Sequence, residues 1–405
     1  MKGRTRMARS RSRPDRSGTA PASRGAPLGE VPPIVEIIAA RQGDHSYPVH
    51  VGRGALRAIG PLLAGADRVA LVSSRPVLRT PVGAEVAGWL AAGEPLAVTH
   101  LLADGERGKT LSELERAAVA LLEAGCTRRS LLVALGGGAV TDAAGFLAAT
   151  YMRGIPWIGV PTTLLAMVDA AIGGKTAANL PVAKNAVGAF HPPRAVLADP
   201  SALSTLPARE LASGKGEVVK YGALDPALLP SFAEACAGWS VDAPVIAACA
   251  RIKVDVVALD PTEEGPRKLL NLGHTFGHGV EAAGGFQRYT HGEAVGIGLA
   301  FAFRLARRLG RVGDQAVAAV EAALGRAGLP LRVPPGLAHR AARLMAFDKK
   351  RTVAGLRWVL PRAKGRSWVV EWDVEAGAQE VQDTVNEVSA PVRRGPHGRA
   401  ARRTR

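Results

Sequence analysis

The chain has 405 residues, of which 47 % are hydrophobic and only 4 % aromatic, and a formal net charge of +17. That length suits two domains of ordinary size, with cores built mostly from Ala, Val and Leu. No run of about 18 uncharged apolar residues occurs, which argues against a helical membrane span, and Cys126, Cys236 and Cys249 lack C-x-x-C spacing, so they read as buried small hydrophobes in a reducing compartment.

Residues 1–34 open the chain as a basic tail rich in Arg, Ser, Pro and Gly, and residues 388–405 close it with the same character. The two tails carry most of the excess charge, so the body does not demand a nucleic-acid partner. Neither has enough apolar surface to offset its ordering entropy, and both are expected to be disordered. An Arg-rich, acid-poor N-terminus is also the composition of an organelle transit peptide. The C-terminal tail shares that composition and cannot be such a signal, so the reading adopted is a solvated extension of a cytoplasmic protein.

From about Val35 to Asp199, short apolar runs alternate with helical stretches. The runs are Val69–Val72, Leu131–Leu135, Trp157–Val160 and Ala195–Ala198, and Leu111–Ala124 has apolar residues at helical spacing. This pattern predicts an α/β domain over 35–200 with a Rossmann-like parallel sheet. After Pro200, Val245–Leu259, Gly292–Leu309 and Gln315–Ala327 read as helices, and Arg357–Leu360 with Ser367–Val370 as a strand pair. The expectation is a mainly α-helical domain over 201–387, with a ligand cleft between the two domains.

Three stretches carry chemistry. Leu131–Leu135 runs into Gly136-Gly137-Gly138 and then a helix, a turn that lets backbone approach a phosphate; a plain strand-to-helix turn with Asp142 near the helix start is the simpler alternative. Gly52-Arg53-Gly54 reads as a turn only. Residues 161–185 hold Thr162, Thr163, Asp169, Lys175, Lys184 and Asn185 among small and apolar residues, which suits a phosphorylated or carboxylated ligand better than solvated loop lysines. Three of the nine histidines, His274, His278 and His291, fall within eighteen residues, with Glu217 upstream. Imidazole and carboxylate together suit a divalent ion such as zinc, with three protein ligands and an open position. Spacing i, i+4 pairs His274 with His278 on one helix face and leaves the third ligand open.

Beyond these readings, the chain resembles the 3-dehydroquinate synthase family over residues 35–385. The stretches that carry the likeness are DGERGKT (104–110), GGGAVTDAAGF (136–146), YMRG (151–154) and PTTLLAMVDAAIGGKT (161–176). GKGEVVKYG (214–222), LNLGHTFGH (270–278), HGEAV (291–295) and DKK (348–350) follow in the family's order.

The resemblance implies a homodimeric, NAD- and metal-dependent lyase of the shikimate pathway. It acts on 3-deoxy-arabino-heptulosonate 7-phosphate: oxidation at C5, β-elimination of phosphate, return of the hydride, ring opening and aldol closure to 3-dehydroquinate. It implies NAD contacts from Asp104, Glu106, Lys109, Gly138, Asp142, Thr162, Thr163, Lys175, Lys184 and Ala202, Leu203, Ser204 and Thr205. It implies zinc or cobalt on Glu217, His274 and His291, which moves His278 to the substrate side. Substrate contacts would come from Arg153, Asp169, Lys175, Asn185, Lys220, Lys253, Arg267, Asn271 and one of Lys349 and Lys350, with Lys349 adopted here; Arg267 would hold the carboxylate bidentately.

Four departures stand out. Lys215 predicts an extra cation near the metal, and Gly216 a looser helix. Gly108 replaces a common aromatic. Ser73-Ser74-Arg75 stands where an acid often meets the adenosine ribose. The alternatives are a cyclase for a heptulose phosphate or an amino analogue, a metal-dependent polyol dehydrogenase, and a nucleic-acid-binding protein using the basic tails.

Overall fold

Apolar residues on alternate sides of each strand decide this fold. In the computed structural model, which describes residues 35–93, 96–238, 241–345, 351–352 and 355–389, both basic tails fall outside the described residues except for 388–389, and so do Lys349 and Lys350. The chain begins with β1 (Val35–Gln42), β2 (His45–Gly52), α1 (Ile59–Leu62), β3 (Val69–Ser74), α2 (Arg75–Leu78), α3 (Pro81–Gly93) and β4 (Leu96–Leu102). It continues with α4 (Leu111–Glu123), β5 (Leu131–Gly136), α5 (Gly138–Thr150), β6 (Trp157–Pro161), β7 (Lys175–Leu180), β8 (Ala183–Phe190) and β9 (Ala195–Ala198).

Seven strands form one sheet in the order β1-β2-β9-β6-β5-β3-β4. It is parallel except where β1 pairs antiparallel with β2. Val69 and Leu71 of β3 and Leu131, Val133 and Leu135 of β5 join one core, while Ala70, Val72, Leu132 and Ala134 join the other. Period-2 side-chain direction thus builds two cores from one sheet. Helix α3 contributes Val82, Val86 and Leu90 to the first core; α4 and α5 contribute Leu114, Leu121 and Phe146 to the second. The crossover direction therefore reverses between β3 and β5, and the ends of these strands open a crevice of the kind that holds ligands in doubly wound sheets.

The lysine-bearing segment 175–190 is not a loop. It is a separate antiparallel hairpin, β7–β8, turning at Pro181-Val182. Helices then dominate: α6 (Ala208–Leu224), α7 (Leu229–Ala237), α8 (Ala243–Leu259), α9 (His274–Ala283), α10 (His291–Arg308), α11 (Asp314–Arg326) and α12 (Pro335–Met345). Short strands β10 (Arg351–Thr352) and β11 (Gly355–Leu356) precede the antiparallel pair β12 (Trp358–Lys364) and β13 (Ser367–Val374), and α13 (Ala378–Val388) follows. The three cysteines are free and buried. Among the described residues no helix is long and apolar enough to cross a membrane.

Candidate active site

Glu217, His274 and His291 come from three helices, α6, α9 and α10, and their donor atoms lie within 4.8 Å of one another. Helix α10 starts at His291 because Thr290 and Glu293 form a reciprocal capping box. Helices α6 and α10 meet backbone to backbone. A Cβ on Gly216 would stand 2.3 Å from Gly292 O, and one on Gly292 would stand 1.7 Å from Ser213 O. Gly216 therefore does not loosen the helix; it allows the close crossing that brings Glu217 to His291. Lys215 points away and donates to Gly238 O at 2.7 Å, so it adds no cation at the cluster. Gly292→Ala is expected to cost about 1–3 kcal/mol from overpacking and to weaken metal binding. Denaturant unfolding and zinc titration measure both, and unchanged values would show the contact to be dispensable.

The donor geometry fits a tetrahedral ion. Ligands about 2.1 Å from zinc stand roughly 3.4 Å apart. Glu217 Oε1 lies 3.1 Å from His291 Nε2 and 3.5 Å from His274 Nε2. The outer nitrogens are held too: His274 Nδ1 faces Leu272 O at 3.2 Å, and His291 Nδ1 faces Glu281 Oε2 at 3.2 Å. Such outer partners fix which nitrogen offers its lone pair. Burial disfavours charge on His291, but Glu217 and Glu281 outweigh it and hold its pKa up at about 10. Burial likewise opposes ionisation of Glu281, yet His291 and Lys184 take it down to about 2. The pocket thus favours a positive charge between its carboxylates. A second donor set, His278, Glu281 and His291, also converges. The His278 ring sits edge-on to His274 at 5.3 Å and 6.2 Å from the His291 ring.

A row of buried charges runs inward from Glu217. Lys220 bridges Glu217 and Asp169, and Lys253 pairs with Asp169 from the other side. Asp169 sits in one wide turn of helix, Ala166–Ala170, in which Ala171 N reaches back to Ala166 O at 3.1 Å. Burial opposes ionisation of Asp169, but the two lysines hold it well below the usual carboxylate range. Burial also works against Lys220, whose two carboxylates nonetheless raise it. Burial dominates at Lys253 and lowers it to about 8 against the pull of Asp169.

Arg267 is wholly buried. Its terminal nitrogens donate to Pro261 O and Gly173 O, both at 2.6 Å, while its buried Nε has no hydrogen-bond partner among the described residues. The fork expected to clasp a carboxylate is therefore already engaged with backbone. Asp260 accepts from the backbone N–H groups of Glu264, Gly265 and Arg267 and folds this turn. The turn presents Glu263, which the sequence reading passed over. It pairs with Lys175 and accepts from Asn271. Its φ of 66° joins 68° at Arg153 and 54° at Asn185, left-handed values that cost L-residues energy and concentrate at functional sites. Glu281, also passed over, had a readable signal: it follows His278 by three residues and His274 by seven, the spacing of one helix face.

At the carboxyl ends of the strands, Gly136 pairs with Pro161, and Thr162 N donates to Gly136 O at 3.0 Å. Thr163 packs on Gly137, and Gly138 starts α5. Asp142 lies in the second turn of α5, paired with buried Lys109, which also donates to Asn185. Burial raises the Asp142 pKa against the pull of Lys109. Glu106 accepts from Asn179 at 2.6 Å, and Asp104 is exposed beside it. Gly108 has no room for a larger side chain, because a Cβ there would stand 2.2 Å from Ala103 O. Lys184 reaches Glu281 at 3.5 Å and lies over the Phe286 ring. Ala202 to Thr205 form most of a helical turn after β9, with Ala202 and Leu203 buried. Arg153 stands apart, beyond the far end of α5. The stretch from Asp142 to Thr150 alone spans about 12 Å.

Solved structures share this architecture. Structure comparison gives a TM-score of 0.72 to 2-epi-5-epi-valiolone synthase from Streptomyces hygroscopicus subsp. jinggangensis 5008, solved with NAD+ and Zn2+ bound. The two are 26 % identical, over 86 % of this chain and 98 % of that one. The TM-score to 2-deoxy-scyllo-inosose synthase complexed with carbaglucose-6-phosphate, NAD+ and Co2+ is 0.70, at 25 % identity over 87 % of this chain and 100 % of that one. A glycerol dehydrogenase from Schizosaccharomyces pombe, 15 % identical with a TM-score of 0.60 over 83 % of this chain and 86 % of that one, shares the fold alone. The fold is that of the sugar-phosphate cyclases. Residues 99–213 match the 3-dehydroquinate synthase N-terminal family and residues 214–351 the 3-dehydroquinate synthase C-terminal family. Curated 3-dehydroquinate synthases are 43 % identical over 80 % of this chain and 86 % of the Xanthomonas campestris pv. campestris strain 8004 protein, and 44 % identical over 83 % of this chain and 93 % of the Pelotomaculum thermopropionicum protein. The chain belongs to the 3-dehydroquinate synthase family.

Proposed function

We propose that the chain converts 3-deoxy-arabino-heptulosonate 7-phosphate into 3-dehydroquinate and phosphate, with NAD and a zinc or cobalt ion. The observation that carries this reading is the two-histidine, one-carboxylate donor set placed directly against the buried Lys220–Asp169–Lys253 row. A divalent ion and fixed cations side by side suit a substrate with adjacent hydroxyls, a carboxylate and a phosphate.

Glu217, His274 and His291 hold the metal, and Glu281 orients His291. NAD would be held at the carboxyl ends of β3, β5 and β6 by Gly138 at the start of α5, Thr162, Thr163, Lys109 and Asp142, with Asp104, Glu106, Lys184 and Ala202 to Thr205 around them. When bound, the metal supplies a Lewis acid at the substrate hydroxyls and NAD a hydride acceptor that is regenerated. His278, beside the donor set, holds the proton released from the hydroxyl. Asp169 keeps Lys220 and Lys253 charged and aimed at the cleft. Glu263 keeps Lys175 and Asn271 in place at its mouth, and Asn185 joins them. Arg267 braces Gly173, two residues before Lys175. Two domains, 35–200 and 201–387, meet at this site. The protein is cytoplasmic and works as a homodimer, and Arg153, remote from its own cleft, serves the shared face. Lys349 adds a phosphate contact from its segment.

The test supplies the seven-carbon keto-acid phosphate with catalytic amounts of NAD and zinc. Equal yields of phosphate and 3-dehydroquinate, with no steady accumulation of NADH, are expected. Steady NADH release would make the chain a polyol dehydrogenase. Equal kcat/KM for sedoheptulose 7-phosphate would make it a heptulose phosphate cyclase.

A further inference from the structure

Lys175 follows the softest stretch of backbone in the site. Gly173 and Gly174 precede it, with φ of 86° and 59°. Glycine adopts such values freely and leaves them as freely, because no Cβ restricts the chain. The position of Lys175 is therefore fixed only as well as the groups around this turn hold it.

The turn is held at its backbone atoms. Arg267 donates to Gly173 O at 2.6 Å, and His191 N donates to Gly174 O at 2.8 Å. Ahead of both, the Gly173 N–H donates to the phenol oxygen of Tyr47 at 2.9 Å. A Cβ on Gly173 would stand 2.8 Å from a terminal nitrogen of Arg267, and one on Gly174 would stand 2.8 Å from Pro192 N. The turn thus packs too closely to be stiffened by a side chain of its own, and its shape is imposed from outside.

Tyr47 lies on β2, 126 residues before the turn. Its ring belongs to the first core, where phenylalanine would fill the same space. The hydroxyl adds nothing to that packing, and burying it is unfavourable unless it is hydrogen-bonded. Its bond to Gly173 is what it contributes. From β1, Gln42 lies against Gly174 and donates to Pro261 O at 3.4 Å, a carbonyl that Arg267 also holds. The β1–β2 hairpin at the edge of the sheet therefore backs the turn that carries Lys175.

We infer that Tyr47 is a positioning residue for the substrate: its phenol oxygen fixes the Gly173 N–H and, through the glycine turn, the reach of Lys175 toward the ligand's anionic groups. The inference rests on the substrate role proposed above for Lys175.

Phosphate release by the full-length, zinc-loaded chain at saturating NAD tests it, in the wild type, Tyr47→Phe, Lys175→Ala and the double variant. Tyr47→Phe should raise KM for the seven-carbon keto-acid phosphate about tenfold and hold kcat within about twofold, the mark of lost ground-state binding. Its zinc content should not change. In the double variant KM should equal that of Lys175→Ala alone, because the displaced turn has no lysine left to misplace. A phenol that only supported the fold would give the same effect whatever stood at position 175. Thermal melts confirm that each variant folds. Should Tyr47→Phe fail to fold, 3-fluorotyrosine incorporated at position 47 keeps the ring and the hydroxyl, accepts more weakly, and should raise KM about twofold. An unchanged KM in either folded protein overturns the inference, as does an effect of Tyr47→Phe that is equal with and without Lys175; both leave the reaction standing. An unchanged KM in Lys175→Ala removes the lysine's role and the inference with it, and no phosphate release by the wild type removes the reaction as well.

Discussion

Alanine at Glu217, His274 or His291 is expected to empty the metal site and lower turnover by roughly 10³-fold or more, the equivalent of about 4 kcal/mol. Two remaining donors cannot complete the coordination that zinc requires. A second donor set, His278, Glu281 and His291, shares one histidine with the first. The two sets make opposite forecasts for the residues they do not share. In the assignment adopted here Glu281 is an outer partner that holds His291 Nδ1, so Glu281→Gln should keep the ion and lose only about 10- to 100-fold in affinity or activity. His278→Ala should keep the ion and lose rate. Metal content after dialysis and phosphate release on substrate addition read both quantities. Full occupancy in Glu217→Ala, with loss in Glu281→Gln, would hand the ion to the other set.

Much of the architecture was legible in the sequence because burial writes a local pattern. Leu131–Leu135 is buried on both faces and shows as an uninterrupted apolar run, and α10 begins one residue before its predicted start because a capping box marks it. The hairpin at 175–190 was not legible. Its strands are small and half-buried, and no alternation distinguishes them from a loop. The choice among histidines was illegible for a different reason. Spacing favours His274 with His278, since it sees only one helix, whereas His291 reaches Glu217 through the crossing of α6 and α10 at Gly216 and Gly292. That close approach depends on Gly216 and Gly292, 76 positions apart in the chain. Glu263 was missed because its position depends on the turn folded around Asp260 and on a left-handed backbone, neither of which leaves a periodic trace. The departures at Lys215 and Gly108 were visible, but their meaning depended on direction and space: Lys215 leaves the cluster for Gly238, and Gly108 fills the only volume available.

The second large effect concerns Asp169, where one neutral substitution should cost about 3–5 kcal/mol, the usual penalty for leaving buried charges uncompensated. Lys220 and Lys253 retain only 1 % and 5 % of their side-chain exposure, and both rely on this carboxylate. Glu217 still serves Lys220 in Asp169→Asn, but Lys253 keeps only the backbone carbonyl of residue 169. Its pKa, already near 8, should fall further, so that Lys253 neutralises in the variant. The double variant Asp169→Asn/Lys253→Met should recover part of the loss, because it removes the stranded cation together with its partner. The pH dependence has a definite sign. The pKa of Asp169 is held below its unfolded value of 3.8, so the folded state binds fewer protons than the unfolded state. Its contribution is complete above pH 3.8 and is lost as pH falls through the folded value. Wild-type stability should therefore drop more steeply below about pH 4 than that of Asp169→Asn. Denaturant unfolding at neutral and acid pH measures both effects. A neutral-pH loss under about 1 kcal/mol, or equal acid slopes in the two proteins, would show that the carboxylate does not hold the two lysines in place.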